Sequence, residues 1–228
     1  MQTIEYRIIS IGTLAAHPLW NEKGEVRTGH PTTTLISSGE THILVNPGLP
    51  AAILGARMGE RTNVRPDQIT HVFLTALSQD HYRALPAFEK AEWYAYETEG
   101  IAALAGLRDQ LQRAEEGGDE GLIETVRNHM EIIRRCRAAE DSLVQGVDLF
   151  PLPGVTPGTC GLLLALPRQT VLIAGDAVAT LEHLQQGKVL PHSASIEQAQ
   201  DSFREAIEIA DIIIPGRDNL VFNPLRVM

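Results

Sequence analysis

At Asp80-His81 a carboxylate and an imidazole stand side by side in the chain. An apolar run, Val72-Phe73-Leu74, leads to them through Ala76-Leu77-Ser78-Gln79, and beyond them Tyr82-Arg83-Ala84-Leu85-Pro86-Ala87-Phe88 reads as a short helix. A strand passing through a tight loop into a helix presents such a pair at the strand end, where it can ligate a divalent ion or move protons. Ser78 adds a hydroxyl three residues before His81, its only evident base partner. Asp80 also has a plainer use, capping the helix that starts near His81. Of the two cysteines, Cys160 lies among apolar neighbours and reads as core, and Cys136 shares no metal-ligand spacing with it.

The composition bounds what such a site can serve. A chain of 228 residues with 43% hydrophobic residues can bury a full core as one domain, taken as 1–228. A net charge of −10 argues against a nucleic-acid surface and against attachment to anionic lipid. No apolar run approaches the ~20 residues of a membrane span. Two free thiols fit a reducing cytoplasm, the expected location.

The elements that must position the pair follow from the hydrophobic patterning. Ile4 to Ile11, Thr32 to Ser37 and Thr41 to Asn46 read as strands, the last two joined by a turn at Ser38-Gly39-Glu40. A long polar loop, 16–30, carries His17, Trp20 and His30, and a helix is expected over Ala51 to Met58. Strands follow at His71 to Leu74 and Ala91 to Tyr96. From about 97 to 141 the period changes: Ile101, Leu104, Leu107 and Leu111, then Leu122, Val126, Met130 and Ile133, predict an inserted helical hairpin broken at Glu116-Gly117-Gly118-Asp119. It is either a cap over a site or a dimerisation element. Continuously apolar strands return at Thr159 to Leu166, Thr170 to Gly175 and Asp211 to Pro215, and Ser195 with Gln198 forms a capping box before a helix.

Five segments at predicted strand ends carry a resemblance. Thr75-Ala76-Leu77-Ser78-Gln79-Asp80-His81 resembles the Thr-His-x-His-x-Asp-His loop of the metallo-β-lactamase superfamily. Leu44-Val45-Asn46-Pro47-Gly48 is similar to its Val-Asp-x-Gly segment, and Pro153-Gly154-Val155-Thr156-Pro157-Gly158 to its Pro-Gly-His-Thr-Pro-Gly turn. Ala174-Gly175-Asp176-Ala177 resembles Thr-Gly-Asp-Ala, and Ile214-Pro215-Gly216-Arg217 the closing Pro-Gly-His. The matches keep the family's order over roughly residues 4–96 and 147–218. The resemblance implies an α/β (α+β) fold, a four-layer αββα sandwich of two mixed sheets, with the site at one edge.

Carried over residue by residue, the family's first metal site falls on Ala76, Ser78 and Val155, none of which binds a transition ion usefully. The second falls on Asp80, His81, Asp176 and Arg217, and a guanidinium offers no lone pair. The resemblance therefore implies a pocket in which Arg217 bridges Asp80 and Asp176, with no cofactor. The alternative is one divalent ion (Zn, Mn or Fe) on Asp80, His81 and Asp176, with His30, His183 or His192 reaching the pocket; each of these three also reads as a surface polar residue. Three functions follow from these readings. One is a divergent member acting by binding or assembly, with a small-molecule or protein partner and a homodimer through the hairpin. Another is a one-metal hydrolase of esters, lactones or phosphodiesters. The third is a metal-free acid–base enzyme using His81 and Asp80.

Overall fold

The computed structural model describes residues 3–226. Twelve strands among them form two six-stranded sheets. The first takes β1 (Ile4–Ser10), β2 (Thr33–Ser38), β3 (Thr41–Val45), β4 (His71–Leu74), β5 (Glu92–Ala95) and β6 (Arg137–Ala138), in that spatial order. β1, β2 and β3 run antiparallel, while β3 to β6 are parallel neighbours. The β2–β3 register pairs Ser38 with Thr41, leaving Gly39 and Glu40 as the turn, and Gly39 takes the positive φ of 58° such turns require. The second sheet holds β7 (Ser142–Val144), β8 (Val147–Pro151), β9 (Cys160–Leu166), β10 (Gln169–Gly175), β11 (Ile212–Pro215) and β12 (Val221–Phe222). Only β10 and β11 are parallel there.

Alternation along the strands sorts their side chains into three apolar layers. Ile36, Ile43, Val45 and Phe73 of the first sheet meet Leu162, Leu164, Val171, Ile173 and Ile214 of the second in the central layer. The opposite face of the first sheet, with Leu35, Leu44, Val72 and Leu74, is covered by α1 (Ala51–Arg61), through Leu54 and Met58, and by the hairpin of α2 (Glu97–Gly117) and α3 (Glu120–Arg135). The outer face of the second, with Leu172, Ala174 and Ile213, takes Leu184 of α4 (Leu181–Gln186) and Phe203 and Ala206 of α5 (Ile196–Ile209). The architecture is the four-layer αββα sandwich.

Several boundaries differ from the sequence expectations. The Tyr82–Phe88 helix is replaced by two 3-10 turns, Gln79–His81 and Leu85–Phe88, the second opening with Pro86 in its first turn, where a missing N–H costs nothing. The hairpin's helices end at Arg135, and Arg137–Ala138 is already the strand β6. The hairpin is thus the crossover between the parallel neighbours β5 and β6. Ile101, placed on its inner face by spacing, is 65% exposed, and Ile123 rather than Leu122 is buried on α3. α5 keeps the serine half of its capping box, with Gln198 N donating to Ser195 Oγ at 3.3 Å.

Candidate functional site

The carboxyl ends of β4, β10 and β11 bring Asp80, Asp176 and Arg217 together. Arg217 Nε donates to Asp176 Oδ1 at 2.8 Å and Nη2 to Asp176 Oδ2 at 2.7 Å, a two-pronged pairing of planar fork and carboxylate. Its Nη1 donates to Asp80 Oδ2. The remaining oxygen, Asp80 Oδ1, lies 2.7 Å from Ser78 Oγ. All four carboxylate oxygens are therefore engaged, three by one guanidinium and the fourth by a hydroxyl. Ser78 Oγ also lies 2.6 Å from His81 Nδ1, which is 3.1 Å from Asp80 Oδ1. The other ring nitrogen of His81, fully buried, has no hydrogen-bond partner and stands 3.8 Å from Asp176 Oδ2.

These contacts govern the ionisation of the cluster. Burial pushes the Asp80 carboxyl up, but its contacts with His81 and Arg217 outweigh burial and hold it well below the usual carboxylate range. For Asp176 burial again raises, and the Arg217 guanidinium again wins. Burial alone would lower Arg217, whereas Asp176 and Asp80 together push it above its ordinary value. Asp80 lies inside the 3-10 turn and does not cap it; its oxygens go to Arg217 and Ser78.

Neighbouring segments hold the loops in place. Asn46, in the left-handed region at φ 52°, accepts from Thr75 N and donates to Thr75 Oγ1, both at 2.9 Å. Its amide supplies the donor and the acceptor that this double contact needs, and a carboxylate would lack the donor. Glu99, in the first turn of α2 and buried, accepts from Leu77 N at 2.8 Å, Thr156 Oγ1 at 2.6 Å and Gly158 N at 3.2 Å. One carboxylate thus ties the hairpin to both the Asp80 loop and the 153–158 turn. Gly154 and Gly158 let that turn dock: a Cβ on Gly154 would sit 2.2 Å from Ala199 N, and one on Gly158 2.1 Å from Glu99 N. Arg217 is fixed by its own backbone, whose N–H donates to Ala179 O at 2.8 Å.

The other expected residues divide. Ala76 is buried, and Val155 packs with Leu14, Ala179 and Leu190. His30 turns to the backbone, with its ring nitrogens 3.3 Å from Thr28 O and 3.2 Å from Ile11 O, and His192 is exposed; neither joins the cluster. His183 is fully buried rather than a surface residue, with Nδ1 2.9 Å from Thr180 Oγ1. The same hydroxyl is 3.2 Å from His17 Nε2, and His17 stacks on Trp20 with ring centroids 4.1 Å apart. Burial, then the neighbouring His17, lowers His183 to a pKa of about 4. Nothing in the sequence marks Glu99, because an acid in a helix's first turn already has a local explanation in the helix dipole.

Two recesses open on either side of the loop. One of about 440 Å³ is bounded by Asp80, Arg83, Arg27 and Glu25. The other, about 350 Å³, lies between the loop and the hairpin and is bounded by Leu77, Ser78, Tyr82, Leu107 and His129. Among the described residues no group of three or more His, Cys, Asp or Glu side chains is arranged to hold a metal ion, and no helix is long and apolar enough to cross a membrane.

Comparison with known proteins places these features. The family model of the metallo-beta-lactamase superfamily matches residues 26–216. A Thermotoga maritima protein of metallo-beta-lactamase type is 19% identical, with a TM-score of 0.69 over 96% of this chain and 99% of its own. The dizinc quorum-quenching lactonase AidC gives a TM-score of 0.67 at 14% identity, over 84% of this chain and 74% of its own. Among curated proteins, a 7-methyl-GTP pyrophosphatase of Burkholderia thailandensis is 34% identical over 91 residues. That alignment spans 35% of this chain and 42% of that relative's length.

Proposed function

The chain belongs to the metallo-beta-lactamase superfamily, and we propose that it is a divergent, hydrolase-like member in which the Arg217 guanidinium replaces the metal pair. The observation that carries this reading is the engagement of all four carboxylate oxygens by Arg217 and Ser78. A divalent ion entering here would have to expel a fixed cation from two carboxylates already held ionised. The donor set does not fit it: Ala76, Ser78 and Val155 stand at the first site, and the second offers one bare imidazole nitrogen. The hydrolysis of esters, lactones or phosphodiesters by a metal-bound water is accordingly not its chemistry. It works through binding or through an altered activity of the metal-free pocket. The unpartnered nitrogen of His81 is the one feature that favours the alternative, a single ion on Asp80, His81 and Asp176. The like-charged guanidinium beside it opposes that ion.

Elemental analysis of the purified protein tests this, after incubation with Zn²⁺, Mn²⁺ and Fe²⁺ and removal of unbound ion. The expected result is less than about a tenth of an equivalent for the natural chain, with a gain in Arg217→His, which restores a ligand and removes the opposing charge. About one equivalent in the natural chain, lost in Asp176→Ala, would overturn the reading.

A further inference from the structure

With its cation built in, the pocket also carries a hydroxyl at its mouth. Ser78 is exposed at the mouth of the cluster, yet its Oγ lies 2.6 Å from Nδ1 of the fully buried His81. On the far side of the ring Nε2 faces Asp176 Oδ2 at 3.8 Å with no other partner. Hydroxyl, imidazole and carboxylate thus follow one another in the order of an activated nucleophile, its base and the group that orients the base. A cation stands close by. Arg217 holds one oxygen of Asp80 and both of Asp176, which uses three of its five guanidinium N–H groups. Ser78 also edges the recess of about 350 Å³, whose wall includes Leu77, Tyr82 and Leu107.

We propose that Ser78 is the nucleophile of a metal-independent acyl transfer, with His81 as its base, acting on small esters whose acyl group enters the recess beside the hairpin. The Ser78 hydroxyl turns from Asp80 Oδ1 to His81 Nδ1, both within hydrogen-bond reach, and Oγ attacks the ester carbonyl carbon as that proton passes to the ring nitrogen. The carbonyl π pair moves to oxygen, a charge that the two remaining N–H groups of Arg217 would stabilise. Collapse of that intermediate breaks the carbon–oxygen bond to the alcohol, which leaves with the proton from His81. Water then adds to the acyl-serine by the same route, releasing the acid and returning the proton to Ser78. Asp176 does not touch substrate; it is a positioning residue that favours the ring orientation with Nε2–H towards it.

This proposal rests on the metal-free reading, and the test separates the two. Protein shown free of metal by elemental analysis is treated with a fluorophosphonate in the presence of EDTA, then digested and weighed by mass spectrometry. The expected result is one adduct per chain, on the peptide carrying Ser78, and EDTA-insensitive turnover of p-nitrophenyl acetate and butyrate. Ser78→Ala, at an exposed position, should lose the adduct and at least 100-fold of the turnover while keeping its melting temperature. No adduct on metal-free, folded protein, or equal labelling of Ser78→Ala, overturns the serine assignment and leaves the Arg217 reading standing. Turnover abolished by EDTA and restored by Zn²⁺ or Mn²⁺ overturns both.

Discussion

Replacing Arg217 by alanine leaves Asp80 and Asp176 facing each other in a buried pocket with no counter-charge. Breaking a buried pair from one side typically costs about 3–5 kcal/mol, and chemical denaturation of Arg217→Ala should show a loss in that range. Arg217→Lys keeps the charge but not the fork, so it should recover part of the loss and not all of it. Glu99 is the other critical carboxylate. Glu99→Ala strips the acceptor from two backbone N–H groups and the Thr156 hydroxyl, and about 3 kcal/mol or more is expected from urea titration. The two residues differ in how far the sequence discloses them. Arg217 stands out because it occupies a place in an ordered series of strand-end segments. Glu99 does not, since its partners lie 22, 57 and 59 residues away and no local spacing marks them.

At the scale of elements, the 153–158 turn is clamped between the beginnings of α2 and α5. Gly158→Ala would drive a Cβ to 2.1 Å from Glu99 N, which is backbone and cannot swing aside. A loss of several kcal/mol, roughly the upper end of single-site effects, is expected, with amide exchange in the 75–81 loop accelerating at the same time. The strands and α5 were legible because β-branched runs and the Ser195 cap act locally. The crossover role of the hairpin was not, because parallel pairing of β5 with β6 joins residues more than 40 apart. Its helical periodicity matches the two helices, but Ile101 keeps the spacing without the burial, because the helix start overhangs solvent.

For the whole molecule, the burial of His183 sets a pH dependence of stability. His183 titrates near 4 in the fold, and an unfolded histidine near 6.5. Between those values the unfolded chain binds the extra proton, so stability is complete above about 6.5 and falls as pH drops towards about 4. Stability from urea titration across that range should decline by an amount on the order of 3 kcal/mol, and His183→Gln should flatten the curve. Neither burial nor partner of this histidine was visible in the sequence, where it follows Asp176 by seven residues without any pattern. The guanidinium at the carboxyl end of β11 has a broader consequence. A charge carried on a side chain is present as soon as the polypeptide folds, so on the proposed reading the pocket would need no loading step and would have no apo form to be rescued. Scarcity of a trace element, or competition among ions for one vacancy, would leave every copy of the protein equally furnished.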